Sequence, residues 1–139
     1  MQLQRSLELR TEGRGIYELT DRVSEVVRAA GVREGLCVVS CLHTSASLVV
    51  TECADPAVRT DLQAWLERIA PEGDAIYTHT AEGPDDMPAH LRAAITSASE
   101  TLIISAGELA LGVWQGLYLM EHRAAPHSRR VLVHVQGDL

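Results

Sequence analysis

The sequence contains no lysine and no asparagine, and all 12 of its basic residues are arginine. Without a lysine amine the chain cannot form a Schiff base, which excludes lysine-linked pyridoxal phosphate and class I aldolase chemistry. A Walker loop also requires lysine, and neither G-x-G-x-x-G nor G-x-S-x-G occurs. An anion bound by this chain must therefore be held by arginine, histidine, backbone N–H groups or a metal.

Long apolar runs are also missing, since none approaches the roughly 18 residues needed to cross a membrane. The N-terminal segment MQLQRSLELRT lacks the apolar core of a secretory signal. The net charge of −7 argues against a nucleic-acid surface that works through general electrostatics. Cys37, Cys41 and Cys53 are an odd set in a chain large enough to fold without disulfides. These features predict a soluble cytoplasmic protein with reduced thiols that binds neither membrane nor nucleic acid.

The 139 residues fit one domain, 1–139, with a single hydrophobic core. Apolar periodicity predicts three helices, over 20–30, from Asp55–Pro56 to about 70, and from Pro88 onward. The predicted strands lie near 3–9, 35–44, 47–52, 101–105, 111–122 and 129–136, with a short β-like piece at 76–77. Because the last strands follow one another without helices between them, we expect an α+β fold with largely antiparallel β-sheet layers. The stripes expected to face the core are Val58, Leu62, Trp65, Leu66 and Ile69 in the second helix, and Leu91, Ala94, Ile95 and Ala98 in the third.

The stretch LGVWQGLYLMEHR, residues 111–123, resembles a strand but carries two glycines. Regular alternation would place Gly112, Trp114, Gly116, Tyr118 and His122 on one face. The glycines would then leave hollows beside Trp114 in which a flat ligand could lie. They could equally admit side chains from a packed neighbour or mark a bulge.

The segment YTHTAEGPDDMPAHL, residues 77–91, places His79 and His90 on either side of Glu82, Asp85 and Asp86. The first turn of a helix depresses the pKa of an imidazole, and a neutral imidazole is what a metal or a general base requires. The segment therefore indicates a metal or acid–base cluster. The alternative is a solvated acidic loop that leads into a helix.

The segment CLHTSASLVVTE offers a third candidate. His43 shares strand parity with Cys37 and Cys41, but C-x3-C is a poor zinc spacing and cysteine is commonly a small buried residue. A Ser–His–Asp hydrolase could use Ser45 or Ser47, although nothing in the spacing favours it. The hydroxyls after His43 could bind a polar ligand or satisfy the N–H groups of a turn.

Near the C-terminus, EHRAAPHSRR concentrates arginine and histidine in an otherwise acidic chain. A hairpin through Ala-Ala-Pro-His-Ser would bring Arg123 close to Arg129, and such a pair suits phosphate or carboxylate. The alternative is ordinary solvated hairpin charge.

Taken together, LHTSASLVVTE, DPAVRTDLQAWL, YTHTAEGPDDMPAHL and GELALGVWQGLYLMEHRAAPHSRRV occur in the order found in the YjbQ family, which the chain resembles over nearly its whole length. Members of that family are often named secondary thiamine-phosphate synthase enzymes. The resemblance implies an α+β subunit, a homotrimer with a His-rich pocket near subunit boundaries, and a possible metal or anion site. It also implies weak thiamine-phosphate synthase activity, which joins a hydroxymethylpyrimidine diphosphate to a thiazole phosphate and releases pyrophosphate.

Carried over by position, the resemblance implies a set of pocket residues. These are His43, Thr44, Ser45, Glu52, Asp55, His79, Asp86, His90, Trp114, Gln115, Glu121 and His122. Two positions depart from the family pattern: Asp86 stands where asparagine is common, and Val113 where threonine is common. Asp86 makes the site more negative, which favours a cation and repels a diphosphate unless a metal intervenes.

We assign expected roles within this set. The catalytic candidates are His43, Glu52, Asp86 and His90. The substrate-binding candidates are Thr44, Ser45, Trp114, Gln115, Gly116 and Arg123, and the candidate ligands of a divalent metal, zinc or magnesium, are His79, His90 and His122. The expected partners are further copies of the chain and a small phosphorylated metabolite. A trimer that binds a metal or phosphometabolite without turnover, a metal-assisted small-molecule hydrolase and a purely structural trimer remain open alternatives.

Overall fold

The computed structural model describes residues Met1–Leu139. Its strands are β1 (Gln2–Arg10), β2 (Gly15–Glu18), β3 (Glu34–Cys41), β4 (Ala46–Glu52), β5 (Ser99–Ser105), β6 (Glu108–Leu109), β7 (Gln115–Glu121) and β8 (Ser128–Asp138). Its helices are α1 (Thr20–Ala30), α2 (Pro56–Ile69) and α3 (Asp86–Ile95). All strand pairs are antiparallel, which confirms the predicted α+β class and the three helices. None of these helices has the length and apolar character needed to span a membrane.

Two sheets carry the fold. One has the strand order β1-β8-β3-β5-β6 and the other has the order β2-β7-β4. The core lies between them and α1: alternate apolar residues of β3, β7 and β8 point inward and pack against Val23, Val27 and their neighbours on α1. This alternation follows from the period of two in a strand that buries one face.

The helix ends follow the signals in the sequence. Gly31 adopts a left-handed conformation with φ of 69° and ends α1, which is a backbone geometry that favours glycine. At the start of α2, the Asp55 carboxylate accepts a hydrogen bond from the Ala57 N–H, and Pro56 occupies the first helical position. The predicted end of α1 at Gly31 and the predicted start of α2 at Asp55–Pro56 are therefore both confirmed.

The predicted buried stripes of α2 and α3 are largely wrong. In α2 only Leu66 is buried, whereas Trp65 and Ile69 are about half exposed. In α3, which begins two residues before Pro88, Ala94 and Ile95 are exposed and Leu91 is half-buried, while Ala98 lies beyond the end of the helix and is exposed. The buried side of α3 instead carries Asp86, Pro88, Ala89 and Arg92, because this helix packs through a polar face that forms part of a site.

Two strand predictions also need correction. Residues 76–77 form no strand, since Asp74 organises a turn there by accepting a hydrogen bond from the Ile76 N–H. Strand β7 begins only at Gln115, because the Gln115 N–H bonds to the Gly112 carbonyl and closes a turn over 112–115. Alternation therefore holds from Gly116 to His122 and fails for Gly112 and Trp114.

Candidate metal and ligand site

Three side chains meet at the start of α3. Nε2 of His79 lies 2.7 Å from Oδ2 of Asp86, and Nε2 of His90 lies 3.0 Å from the same oxygen. Asp86 and His90 share a helix face because they are four residues apart, and the preceding loop supplies His79. One ligand atom from each residue lies within 4.8 Å of the other two. The structure thus brings together the cluster that the 77–91 segment predicts.

Exposure differs sharply within this His79–Asp86–His90 cluster. The Asp86 side chain is 7% exposed, whereas those of His79 and His90 are 44% and 30% exposed. Asp86 thus forms the floor, and the imidazoles form a rim that a small ligand can reach.

The orientation of His90 is fixed by the turn between β3 and β4. Its Nδ1 lies 2.9 Å from the Thr44 carbonyl oxygen, which can only accept a hydrogen bond, so Nδ1 carries the proton. In a neutral ring Nε2 then presents a lone pair to the Asp86 carboxylate. Two acceptors at 3.0 Å require either a proton or a cation between them. A backbone carbonyl that sets the tautomer in this way is typical of metal-binding histidines.

Arg123 supports the cluster from outside. Its Nε donates to Asp85 Oδ2 and its Nη1 donates to Asp86 Oδ1, both at 2.9 Å, and Nη2 donates to the Glu82 carbonyl. The Ala124 N–H donates to the same oxygen of Asp85. Arg123 therefore lies at the predicted site, but its guanidinium is engaged by carboxylates rather than left free for phosphate. Arg129, its expected partner, points into the protein interior.

The carboxylates of the site remain ionised. Burial by itself would raise the pKa of Asp86, but the hydrogen bond from His79, the hydrogen bond and charge of His90 in its protonated form, and the charge of Arg123 outweigh it, so the pKa lies below its usual range. The pKa of Asp85 is also lowered. Burial alone would raise it, but hydrogen bonds from the Ala124 N–H and from Arg123 outweigh that effect. A fixed negative charge therefore faces the two imidazoles.

The turn after β3 lies beside the cluster, as predicted. His43 and Thr44 line a hollow of about 250 Å³ together with His90, Ala46 and Ala93. His43 Nε2 accepts a hydrogen bond from the Arg130 N–H at 2.7 Å. Burial, followed by the charge of Arg129, lowers the pKa of His43. The backbone of β8 therefore fixes the orientation of the His43 ring, and the lowered pKa favours the neutral form of the imidazole.

His122 lies away from the cluster, which corrects its assignment as a metal ligand. Its side chain is buried, and its Nε2 lies 2.8 Å from Ser47 Oγ. Burial and the nearby Arg92 lower the pKa of His122 to about 4. The physical reason is strand parity, since His122 continues the β7 face that carries Met120 and turns away from its neighbour Arg123.

Glu52, Trp114, Gln115 and Gly116 lie at the far end of the three-stranded sheet. The β4–β7 register pairs Ala46 with Glu121 near the cluster and Glu52 with Gln115 at the other end. Six residues of strand separate the two ends by about 20 Å. The structure therefore does not bring these four residues to the histidines within one chain.

The space beside Gly116 is also occupied by the protein itself. A Cβ atom at Gly116 would lie 2.9 Å from the Tyr118 ring and 3.1 Å from Cys53 Cβ. The Trp114 side chain is exposed at the turn rather than enclosed beside a hollow. The glycine therefore makes room for Tyr118, and the expectation of a ring-binding hollow is wrong.

Glu121 and Arg129 form a buried ion pair that the sequence patterns did not predict. Arg129 donates to both carboxylate oxygens of Glu121 and to the carbonyl and hydroxyl oxygens of Ser45. Thr11 Oγ1 also donates to Glu121, and the Arg123 N–H does the same. The alternation of strand faces could have indicated this pair, because Arg129 lies on the same face of its strand as the apolar Val131, and Glu121 lies on the same face as the apolar Leu119.

The model of the family described as "UPF0047 protein YjbQ-like" matches residues 5–138 of this chain. The chain belongs to the YjbQ family. It is 46% identical over 138 residues to a UPF0047 protein of Synechocystis sp., covering 99% of this chain and 94% of that protein. It is 37% identical to YjbQ of Salmonella typhimurium, covering 99% of this chain and all of that protein.

Solved structures of other proteins agree with the fold. A hypothetical protein from Aeropyrum pernix K1 matches with a TM-score of 0.89 and 27% identity, over 98% of this chain and 99% of that one. A YjbQ/UPF0047-family protein from Clostridium acetobutylicum matches with a TM-score of 0.83 and 35% identity, over 96% and 99%. The names of these proteins state no activity, so a function for this chain has to be argued from its site.

Proposed function

We propose that the His79–Asp86–His90 cluster binds a divalent metal ion and that the bound ion receives the phosphate of a small metabolite. The observation that carries the proposal is the geometry of His90: the Thr44 carbonyl holds a proton on Nδ1, so in the neutral ring the Nε2 lone pair faces Oδ2 of Asp86 at 3.0 Å, and a cation between these two atoms would satisfy both. Two imidazoles and one carboxylate form the donor set of catalytic zinc sites, whereas magnesium prefers oxygen ligands. Zinc is therefore the better fit.

Such an ion would supply a Lewis acid that offsets charge on phosphate oxygens. Two contacts within the chain position the candidate metal ligands: Arg123 orients the Asp86 carboxylate, and the Thr44 carbonyl orients His90. The exposed rim of His79 and His90 leaves open positions, which distinguishes catalytic from structural zinc sites. This openness supports binding of a ligand at the ion.

The test is to add zinc or magnesium to metal-free protein and measure bound metal by elemental mass spectrometry and affinity by calorimetry. We expect about one zinc per chain in the wild type and little in His79→Ala or His90→Ala. His134→Ala is the matched control, because the His134 ring bonds to Gln4 and Gln136 and to no residue of the cluster. Stoichiometric zinc in the His90→Ala protein would refute the proposal.

For the reaction, we propose thiamine-phosphate synthase chemistry, in which a carbon–nitrogen bond forms to the thiazole as the carbon–oxygen bond to diphosphate breaks. The resemblance of the sequence to the YjbQ family motivates this reaction, although the names of the matched relatives state no activity, and the cluster could offset the charge of the departing diphosphate. Arg123 is not free for that task. The assay supplies both substrates to zinc-loaded protein and detects thiamine phosphate by mass spectrometry, with His90→Ala beside it.

The open positions at the cluster also favour a second candidate, metal-assisted hydrolysis of a small phosphate ester. It predicts phosphate release from one substrate in water, with no need for a thiazole partner. Ligand binding with neither product would instead indicate a phosphometabolite-binding protein. The same zinc-loaded sample separates all three outcomes.

We also propose that the chain works as a cytoplasmic homotrimer. Support comes from the outer face of the five-stranded sheet, where no helix packs and Leu36 and Ile103 are exposed cross-strand partners. The three free cysteines support a reducing compartment. Light scattering after gel filtration gives the mass directly, and a monomer at micromolar concentration would refute the trimer.

A further inference from the structure

An open cavity of about 460 Å³ lies against the exposed side of His79. Residues between 73 and 87 line all of it, so the loop that supplies His79 also builds the space next to it. The volume is within the range of small-molecule sites. A ligand whose phosphate reaches the His79–Asp86–His90 cluster would extend into this space.

The walls of the cavity carry a particular chemistry. Tyr77 contributes a ring, which its hydroxyl fixes by donating to the Pro71 carbonyl at 2.7 Å. Pro84 and Met87 add apolar surface. The one carboxylate in the lining belongs to Asp74, and its Oδ1 is oriented by the Ile76 N–H at 3.0 Å.

No arginine lines this cavity, and its one basic side chain, His79, is a ligand of the proposed metal. Arg123, the arginine of the neighbouring cluster, already serves Asp85 and Asp86. A second phosphate or a carboxylate in the cavity would therefore face the Asp74 carboxylate with no free arginine to receive it, since the proposed metal ion already holds the first phosphate. A positively charged group would meet that carboxylate and the aromatic ring of Tyr77, and both can attract cations.

We propose that this cavity receives the organic part of the phosphorylated ligand and selects one that carries a positive charge. The inference rests on the proposed function, because the cluster has to hold the phosphate next to the cavity. Asp74 and Tyr77 are the residues that determine the selectivity, the first through its charge and the second through its ring.

The test uses zinc-loaded protein and three phosphate monoesters that differ in the charge of the organic part. Phosphocholine is positive there, glycerol 3-phosphate is neutral and 3-phosphoglycerate is negative. One charge at about 6 Å from a carboxylate in a water-like dielectric changes affinity about threefold. We therefore expect phosphocholine to bind about tenfold more tightly than 3-phosphoglycerate, with glycerol 3-phosphate between them.

Asp74→Asn should reduce that ratio about tenfold, because asparagine keeps the oxygen that the Ile76 N–H needs and removes the charge that both attracts phosphocholine and repels 3-phosphoglycerate. The matched control is Asp61→Asn, the same change on α2, at a residue that lines no part of the cavity. Tyr77→Leu should weaken phosphocholine alone, whereas Tyr77→Phe keeps the ring and should preserve the order of affinities.

The outcomes separate the inference from the function beneath it. Equal affinities for the three esters, or an unchanged ratio in Asp74→Asn, would overturn the inference and leave the metal site standing. Failure to bind zinc would overturn the proposed function and the inference with it. Zinc binding with a preference for 3-phosphoglycerate would show a cavity of the opposite selectivity and would also overturn the inference.

Discussion

His122 should make this protein lose stability as the pH falls from about 6.5 to about 4. The side chain is 3% exposed and its Nε2 lies 2.8 Å from Ser47 Oγ. Burial is the main reason that its pKa falls to about 4, and the charge of Arg92 adds to it, while Glu121 opposes the shift without cancelling it. The folded protein therefore holds this imidazole neutral throughout that pH range.

The sign follows from the two states. An exposed histidine in the unfolded chain has a pKa near 6.5, so at pH 5 the unfolded chain binds a proton that the folded protein refuses. Protonation then stabilises the unfolded state, and the free energy of unfolding declines as the pH is lowered. The difference between the unfolded-state pKa of 6.5 and the folded-state pKa of about 4 corresponds to about 3 kcal/mol in the free energy of unfolding. This contribution is present in full above pH 6.5 and is lost progressively as the pH falls below it.

The assay is urea unfolding at several pH values between 7.5 and 4, with His122→Gln as the comparison. Glutamine has a neutral acceptor for the Ser47 hydroxyl but does not titrate. The wild type should lose about 3 kcal/mol more than the variant over this range. The pKa values of Asp85, Asp86 and Glu121 are lowered, so those groups destabilise the fold at still lower pH and cancel in the comparison. Parallel curves for the two proteins would refute the reasoning.

Three further predictions concern stability. Arg129→Met should cost about 3–5 kcal/mol, because it leaves the Glu121 carboxylate buried without its partner, and adding Glu121→Gln should recover part of the loss in urea unfolding. Gly116→Ala should cost about 1–3 kcal/mol, since the new methyl group would contact the Tyr118 ring at 2.9 Å; an unchanged midpoint would show that the ring moves freely. Asp55→Ala should cost about 1 kcal/mol in the same assay through loss of the α2 cap, whereas Asp55→Ser should cost much less.

Local signals in the sequence were sufficient for part of the fold. Gly31 and Asp55–Pro56 mark helix ends through backbone chemistry that depends on few neighbours. The prediction that Trp65 and Ile69 are buried is wrong. Helical periodicity shows that one side of a helix is apolar, but it does not show how far the neighbouring sheet extends to cover that side. A small sheet of three strands covers little of α2.

The site shows the same division. His79, Asp86 and His90 lie within one short segment, so local spacing was enough to predict their cluster. The Thr44 carbonyl could not be predicted, because every residue has a carbonyl and only the tertiary structure aims this one at Nδ1. Glu52 lies at the opposite end of β4, away from the cluster within one chain. This separation could not be predicted either, because the order of motifs along a sequence carries no information about the distance between them.

The Glu121–Arg129 pair has a consequence for how this sequence can change over generations. Arg129 anchors Ser45, the neighbour of the Thr44 carbonyl that orients His90, and Glu121 accepts from the N–H of Arg123, which orients Asp86. Neither position can drift alone without disturbing both supports of the cluster. We therefore expect the two residues to be substituted or lost together during evolution, whereas residues on the exposed surface of α2 are free to vary independently.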